Sequence, residues 1–323
     1  MGLRLPDAWI WDFWFAEDGD EIHVFYLQAP RSLGDPHLRH RNARFGHAVS
    51  RDLRSWTVLP DPLPPAVPGS WDDLATWTGS IIRRDGTWYL FYTGCSRADD
   101  GLVQRIGLAT SRDLNHFERY GDEPLIEADP RWYELLDREL WHDQAWRDPW
   151  VYADTDGDGY HALITARRKS GPTDARGVIG HAVSADLLHW QVRPPLVSPA
   201  GFGQLEVPQV TADGDSTLLT FCTGAEHIAA SRLAHQDRPA RTGSYICRGP
   251  GPLGPFDVPV TTEFFPYSPL YAGKLVRHAG TLWFMGFVNE IDGEFVGELA
   301  DPVAFDPARV VPQRATADVS DPR

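Results

Sequence analysis

Three acidic residues stand at the head of aromatic or β-branched runs: Asp12 in Trp9-Ile-Trp-Asp-Phe13, Asp148 in Trp146-Arg-Asp-Pro-Trp150 and Glu206 in Leu205-Glu-Val-Pro-Gln209. Each run reads as a strand. Acids placed at matching points of separate repeats converge on one axis when the repeats are arranged radially. Converging carboxylates supply what glycosidic bond cleavage needs. One attacks the anomeric carbon or activates water, and another protonates the departing oxygen.

The repeats that would position them are explicit. Gly46-His-Ala-Val-Ser-Arg-Asp-Leu-Arg-Ser-Trp56 returns as Gly107-Leu-Ala-Thr-Ser-Arg-Asp-Leu-Asn-His-Phe117 and as Gly180-His-Ala-Val-Ser-Ala-Asp-Leu-Leu-His-Trp190. A weaker relative runs from Tyr245-Ile-Cys-Arg-Gly249 to Asp257. Gly-x-Ala-x-Ser alternates like a strand, and Ser-x-Asp-Leu turns, with Ser and Asp free to bond nearby amides. Between the kernels lie paired strand-like runs about Gly- and Asp-rich turns: Glu17-Asp-Gly-Asp20, Arg84-Asp-Gly-Thr87, Asp154-Thr-Asp-Gly-Asp-Gly159, Ala212-Asp-Gly-Asp215 and Arg277-His-Ala-Gly-Thr281. Units of this size suit four-stranded propeller blades. The expected fold is an all-β, five-bladed β-propeller of four-stranded antiparallel blades. It forms one domain over residues 1–323, with blades at about 9–60, 71–121, 146–194, 205–257 and 268–306. Helical periodicity is confined to Asp129 to Ala145, expected to be a helical insertion near the site. In a propeller the innermost strands line a central channel, which puts Asp12, Thr78, Asp148, Glu206 and Tyr271 in one funnel.

Bulk properties narrow the partner. A net charge of -15 with 30 basic and 45 acidic residues disfavours nucleic acid and anionic membrane, both of which want a basic face. A neutral small carbohydrate fits, and the 13 Trp offer flat platforms for sugar rings. Three widely spaced cysteines, Cys95, Cys222 and Cys247, indicate neither a disulfide framework nor a zinc site. Met1-Gly-Leu-Arg-Leu-Pro-Asp7 carries no long apolar stretch of a signal peptide, so a cytoplasmic location is expected. Asp154 begins the first half of a calcium loop, but the twelfth position is Thr165 instead of Glu, so the segment reads as an acidic hairpin turn. No metal and no cofactor are expected, and nothing in the sequence sets an oligomeric state.

With these motifs in order, the chain resembles the clan of five-bladed propeller glycosidases that contains the fructan- and sucrose-cleaving family 32, the related family 68 and the arabinan- and xylan-active family 43. Arg147-Asp148-Pro149 looks like the clan's Arg-Asp-Pro motif. Trp77-Thr-Gly-Ser80 is similar to the aromatic-Ser-Gly-Ser motif of family 32, and Glu206-Val-Pro208 to its Glu-Cys-Pro. Ser-x-Asp-Leu-x-x-Trp is a blade signature across the clan. The likeness covers about residues 9 to 300. The opening motif departs from the Trp-Met-Asn-Asp-Pro-Asn-Gly of family 32: Trp9-Ile-Trp-Asp-Phe-Trp-Phe15 keeps only its first Trp and Asp12, so the pocket beside Asp12 is bulkier and more aromatic. The length leaves no room for the C-terminal β-sandwich common in family 32.

The resemblance implies roles. Asp12 is the nucleophile, Glu206 the acid/base and Asp148 the holder of sugar hydroxyls and of the oxocarbenium-like transition state. An apolar neighbourhood and a nearby carboxylate are expected to keep Glu206 protonated. Trp11, Gln28, Trp77, Thr78, Arg147 and Tyr271 are the expected substrate contacts, with His142 and Asp143 on the rim. The leading function is retaining hydrolysis of a small fructoside or related furanoside, with Asp12 and Glu206 about 5 Å apart. The alternatives are a family 43-like inverting arabinosidase or xylosidase, in which Asp12 activates water, and a propeller that binds sugar without cleaving it.

Overall fold

The computed structural model describes residues 2–310 apart from 156, 198–199, 236–238, 257, 259–262 and 265–268. Five antiparallel sheets of four strands follow one another along the chain. They are β1–β4 (Ala8–Asp18, Glu21–Pro30, Arg44–Ser50, Thr57–Leu59), β5–β8 (Ala75–Arg84, Thr87–Cys95, Arg105–Ser111, Glu118–Arg119) and β9–β12 (Trp146–Ala153, Tyr160–Arg167, Gly177–Ser184, Trp190–Arg193). Then come β13–β16 (Glu206–Asp213, Ser216–Thr223, Gly243–Gly249, Glu263–Phe264) and β17–β20 (Leu270–His278, Thr281–Ile291, Glu294–Leu299, Val303–Ala304). The first four sheets run in sequence order from inside out. In the fifth, β19 and β20 both pair with β18. Each first strand touches the first strand of the next blade, and β17 returns to β1, which closes a five-bladed propeller.

The core is divided among the blade interfaces, because each sheet must bury both faces against its neighbours. Trp14, Phe25 and Phe45 of the first blade pack on Leu90, Tyr92 and Phe117 of the second. Phe91 and Leu108 meet Trp146 and Ala162 of the third. Leu163 and Ile179 meet Leu219 and Phe221 of the fourth, and Leu218 and Ile246 meet Leu275 and Phe284 of the fifth. Val276, Met285 and Leu299 close the ring on Ile10, Val24 and Leu3. The N-terminal segment joins this seam, where the Leu299 amide donates to the Leu3 carbonyl at 3.0 Å.

The repeated kernel has a physical account. Asp52 Oδ1 accepts from the amides of Arg54 at 2.8 Å and Ser55 at 2.7 Å, while Ser50 Oγ accepts from the Asp52 amide at 3.1 Å. Asp113 and Asp186 repeat the pattern on the amides of Asn115 and His116 and of Leu188 and His189. Bonds from those amides hold the Asp52 carboxyl well below its ordinary range, and that of Asp113 down to about 2. The following leucines, Leu53, Leu114 and Leu187, are fully buried at φ 59°, 62° and 70°. Burial of the side chain offsets the cost of that left-handed backbone. The kernel glycines are where an aromatic ring lies flat on the third strand. A Cβ on Gly46 would meet the Tyr26 ring at 2.1 Å, and one on Gly107 the Trp71 ring at 2.4 Å. The weaker kernel ends at Asp257, which lies outside the described residues, as does Asp156 of the acidic turn.

One expectation is corrected. Asp129 to Ala145 is not a helix. It makes two isolated turns, Tyr133 amide to Asp129 carbonyl and Trp141 amide to Asp137 carbonyl, and is otherwise irregular. Tertiary anchors overrule the periodicity. Glu134 is ion-paired with Arg167 and Arg176, Trp141 lies over the Arg167 guanidinium at 3.6 Å, and Gln144 Oε1 caps the Leu136 amide. A single α-helical turn spans Ala230–Leu233, and no helix among the described residues is long and apolar enough to cross a membrane.

Two blades carry equivalent histidine pairs across their second and third strands, His23 with His47 at 2.8 Å and His161 with His181 at 2.9 Å. Burial, then the partner imidazole, pushes His47 down to about 3 and His181 down to about 4. The unfolded chain therefore binds more protons below the ordinary histidine value of about 6.5, so this contribution to stability is present above that pH and lost as pH falls toward the folded values. His47→Gln is expected to flatten the acid decline: between about pH 6.5 and 4.5, calorimetry should show its Tm falling less steeply than that of wild type.

Candidate active site

Every innermost strand carries an irregularity at the same level, and these bulges build the site. Pairing slips between Trp11 and Phe13 in β1, between Trp77 and Gly79 in β5, between Arg147 and Trp150 in β9, between Glu206 and Gln209 in β13, and between Tyr271 and Lys274 in β17. A bulge leaves a residue unpaired and re-aims it. In β1 and β5 the unpaired residues are Asp12 and Thr78. In β9, β13 and β17 the second bulge residues, Asp148, Val207 and Ala272, take φ 56°, 51° and 48°. For β-branched Val207 such a backbone costs about 1–3 kcal/mol. Gly79 is required next to the β5 bulge, because a Cβ there would lie 2.2 Å from the Phe91 carbonyl oxygen.

The alignment of bulges corrects the registration expected from sequence. Glu206 is equivalent to Arg147 and Tyr271, one residue before Asp148, and Asp148 is equivalent to Val207. The acids still converge. A cavity of about 500 Å³ is lined by Trp11, Asp12, Trp77, Thr78, Arg147, Asp148, Glu206 and Tyr271, with His142 and Asp143 on its wall. Gln28 is not brought there. Its amide donates to the Phe45 carbonyl at 3.3 Å and to Asp61 Oδ1 at 2.7 Å, on the outer side of the first blade. The expected site also omitted Arg39 and His40, which enter from the connection between β2 and β3. The Trp77 indole donates to the His40 carbonyl at 2.7 Å, and Arg39 lies over the Phe295 ring at 4.0 Å. The sequence signal was a basic run, Arg39-His-Arg41, set in a loop without periodicity.

Arg147 is the hub. Its guanidinium donates to Glu206 Oε1 at 2.7 Å, to Asp143 Oδ2 at 3.1 Å and to Gln104 Oε1 at 2.9 Å, and its Nε lies 3.7 Å from Asp148 Oδ2. Burial pulls its pKa down, but the Asp143, Glu206 and Asp148 carboxylates outweigh this and raise it. Glu206 is met on its other oxygen by the Tyr271 hydroxyl at 2.5 Å, so a cation and a phenol surround it in place of the expected apolar wall. Asp148 Oδ2 accepts from Thr165 Oγ1 at 2.8 Å and from the Val207 amide at 3.2 Å. Burial raises its pKa, and Arg147 opposes the rise.

Among the described residues Asp12 accepts one side-chain hydrogen bond, from Thr78 Oγ1 to its Oδ2 at 2.6 Å. Burial first, then the Asp148 charge, push its carboxyl up to about 7, while Thr78 pulls the other way. Lys274, 2% exposed, donates to the Val207 carbonyl at 3.4 Å beneath the floor. Burial lowers it to about 8 against the pull of Asp148 and Asp12. Burial and the neighbouring Arg39 push His40 down to about 3, so its imidazole is neutral. Among the described residues no group of three His, Cys, Asp or Glu side chains is arranged to hold a metal ion. The arrangement can do two-carboxylate chemistry: a lightly solvated Asp12 on one side, and on the other a Glu206 with one oxygen against a cation and one against a phenol.

Comparison with known proteins bears on the family and the fold. The family model described as Glycosyl hydrolases family 32 N-terminal domain matches residues 14–211. An extracellular sucrase of Zymomonas mobilis is 24% identical over 283 residues, covering 70% of this chain and 66% of the sucrase. A sucrose-6-phosphate hydrolase of Escherichia coli is 33% identical over 130 residues, covering 37% of this chain and 25% of the hydrolase. The chain thus spans just under two thirds of the sucrase and a quarter of the hydrolase. Among solved structures, the inulosucrase from Halalkalicoccus jeotgali bound to kestose superposes with a TM-score of 0.72 at 23% identity, over 90% of this chain and 79% of that one. The Bombyx mori family 32 β-fructofuranosidase gives 0.69 at 19% identity, over 93% and 61%. At these identities the superpositions speak to the fold alone.

A folded Asp12 with a raised pKa destabilises the protein as pH rises from its ordinary value of about 4 through about 7, because the folded state then holds the extra proton. Asp12→Asn is therefore expected to raise Tm above pH 7 by about 2 °C or more, measured by calorimetry. A Tm lower than wild type would mean that Asp12 is a structural ion partner.

Proposed function

From the premise that the chain belongs to glycosyl hydrolase family 32, we propose that it is a glycoside hydrolase that cleaves a small β-fructofuranoside with retention of configuration. The observation that carries this reading is the disposition of carboxylates round one cavity. Among the described residues Asp12 has Thr78 alone as a side-chain hydrogen-bond partner, and Glu206 is fixed from two sides by Arg147 and Tyr271. The names of similar proteins, a sucrase and a sucrose-6-phosphate hydrolase, support a fructoside as the substrate. The family match leaves the arabinosidase alternative without separate support.

In the first step the Asp12 carboxylate attacks the anomeric carbon as the glycosidic C–O bond breaks, and Glu206 gives its proton to the departing oxygen. Arg147 donates to Glu206 Oε1 and the Tyr271 hydroxyl to Oε2, which fixes the orientation of the carboxyl toward the cavity. In the second step Glu206 takes a proton from water, which attacks the same carbon, releases the sugar and frees Asp12. Asp148 spends one oxygen on Thr165 and the Val207 amide, leaving the other to accept sugar hydroxyls as positive charge grows on the ring. Lys274 beneath the floor offsets part of the three negative charges. The buried thiols of Cys95 and Cys222 suit a reducing location such as the cytoplasm.

Asp12→Asn and Glu206→Gln are each expected to lower kcat on sucrose or methyl β-D-fructofuranoside by about 10²–10⁴-fold; wild-type rates in both variants would remove the mechanism. Activity needs ionised Asp12, so kcat/KM should rise with pH through about 7 on its acid limb. Asp148→Asn removes a like charge that raises Asp12. A pH–rate profile of that variant should show the limb displaced to lower pH on a reduced maximum.

A further inference from the structure

The acid's side of the cavity carries polar groups that the two-step mechanism does not use. Gln204, two residues before Glu206, is 1% exposed, yet its Nε2 has no hydrogen-bond partner in the protein. Asp143 is 9% exposed. Its Oδ2 accepts from Gln104 and Arg147, while its Oδ1 is buried without a hydrogen bond, with His142 Nε2 at 3.6 Å. His227 Nδ1 is buried and unbonded as well. All three side chains line the cavity. Burying such a group unpaired is costly, and three together on one wall form a donor and acceptor set shaped for a polar ligand.

The wall is also built and held. The Trp141, His142 and His227 rings pack together with centroids 5.0 to 6.1 Å apart, and the two imidazoles lie within 16° of parallel. Trp141 rests on the Arg167 guanidinium and reaches the wall because residue 203 is glycine; a Cβ there would meet the indole at 2.9 Å. The His227 carbonyl accepts from the Gly203 amide at 2.6 Å, which ties the wall to the strand that bears Glu206. Charge sets the ligand's character. Asp143 and Glu226 add carboxylates here, and the described cations lining the cavity are Arg39, stacked on Phe295 beside the first blade, and Arg147, bonded to Glu206 and Asp143. A phosphate on this side would face carboxylates, and Arg147, the cation of this wall, is already bonded to two of them.

We infer that Asp143, Gln204 and His227 form the leaving-group subsite, which takes a neutral, vicinally hydroxylated ring and turns away its phosphate ester. This rests on the reading of Glu206 as the acid, since the group that protonates the departing oxygen must stand on the leaving-group side. Hydroxyls of a pyranose both donate and accept, which meets the Asp143 oxygen and the Gln204 amide at once.

The test compares kcat/KM for sucrose, sucrose 6-phosphate and methyl β-D-fructofuranoside in wild type, Gln204→Leu and His227→Ala. Wild type is expected to favour sucrose over its phosphate by about tenfold or more. In each variant the ratio of sucrose to methyl fructoside should fall about tenfold. His227 is half-buried at the rim, so its variant is read even where Gln204→Leu fails to fold. An unchanged ratio in the folded variants, or a preference for the phosphate ester, overturns the subsite. Calorimetric titration of glucose into wild type and His227→Ala decides independently of turnover: weaker binding by the variant supports the subsite, and equal affinity or no binding to wild type overturns it. Failure of wild type to cleave any of the three fructosides would instead defeat the proposed activity and leave the glucose titration to judge the wall.

Discussion

The site depends on one backbone constraint, an extra residue placed at the same level in each of the five innermost strands. A regular strand at that depth would alternate its side chains between the two faces of its blade, and both faces are packed against neighbouring blades. The bulge breaks the alternation once and turns a residue toward the axis. Two kinds are used. The simple bulges of β1 and β5 present Asp12 and Thr78, which bond each other across the blade boundary. The bulges of β9, β13 and β17 carry a left-handed residue and present pairs: Arg147 with Asp148, Glu206 with Val207, and Tyr271 with Ala272. The left-handed turn at Val207 also aims its amide at Asp148. Backbone strain and carboxylate placement are thus one feature.

The second constraint is electrostatic. Asp12, Asp148 and Glu206 repel one another in the cavity, and burial worsens this. The fold does not neutralise them evenly. Arg147 serves Glu206, Asp148 and Asp143, whereas Asp12 accepts its hydrogen bond from a threonine hydroxyl and meets Lys274 through space from beneath the floor. The group least supported by hydrogen bonds is the one to which the proposed chemistry assigns attack. Such an arrangement lowers stability at a point where reactivity requires a poorly solvated anion.

Much of this was legible from residue types. The Ser-x-Asp-Leu kernel names its own hydrogen bonds, because Ser and Asp oxygens reach amides two and three residues ahead. The Gly- and Asp-rich turns marked the hairpins, and the ordered motifs marked blades and acids. Features set by three-dimensional packing were not legible. The leucine at φ 59° to 70° in each kernel is stabilised by blade-to-blade burial that no local pattern reveals. Gln28 follows a strand toward the channel, yet its side chain faces Asp61 of a distant loop. The stretch from Asp129 to Ala145 has helical spacing but is pinned residue by residue to Arg167, Arg176 and the wall of the cavity. Arg39 and His40 sit in a connection whose course depends on Trp11 and Trp77. The one-residue offset between Asp148 and Glu206 emerges only when the bulges are aligned by their pairing partners.

The central claim is that the bulges set Asp12 and Glu206 on opposite sides of one anomeric carbon. A crystal structure of the Glu206→Gln protein soaked with sucrose measures this directly. The account predicts a fructosyl ring in the channel with its anomeric carbon about 3–3.5 Å from an Asp12 oxygen, and its glycosidic oxygen beside the residue 206 amide. A sugar bound with its anomeric carbon away from Asp12, or outside the channel, would contradict it.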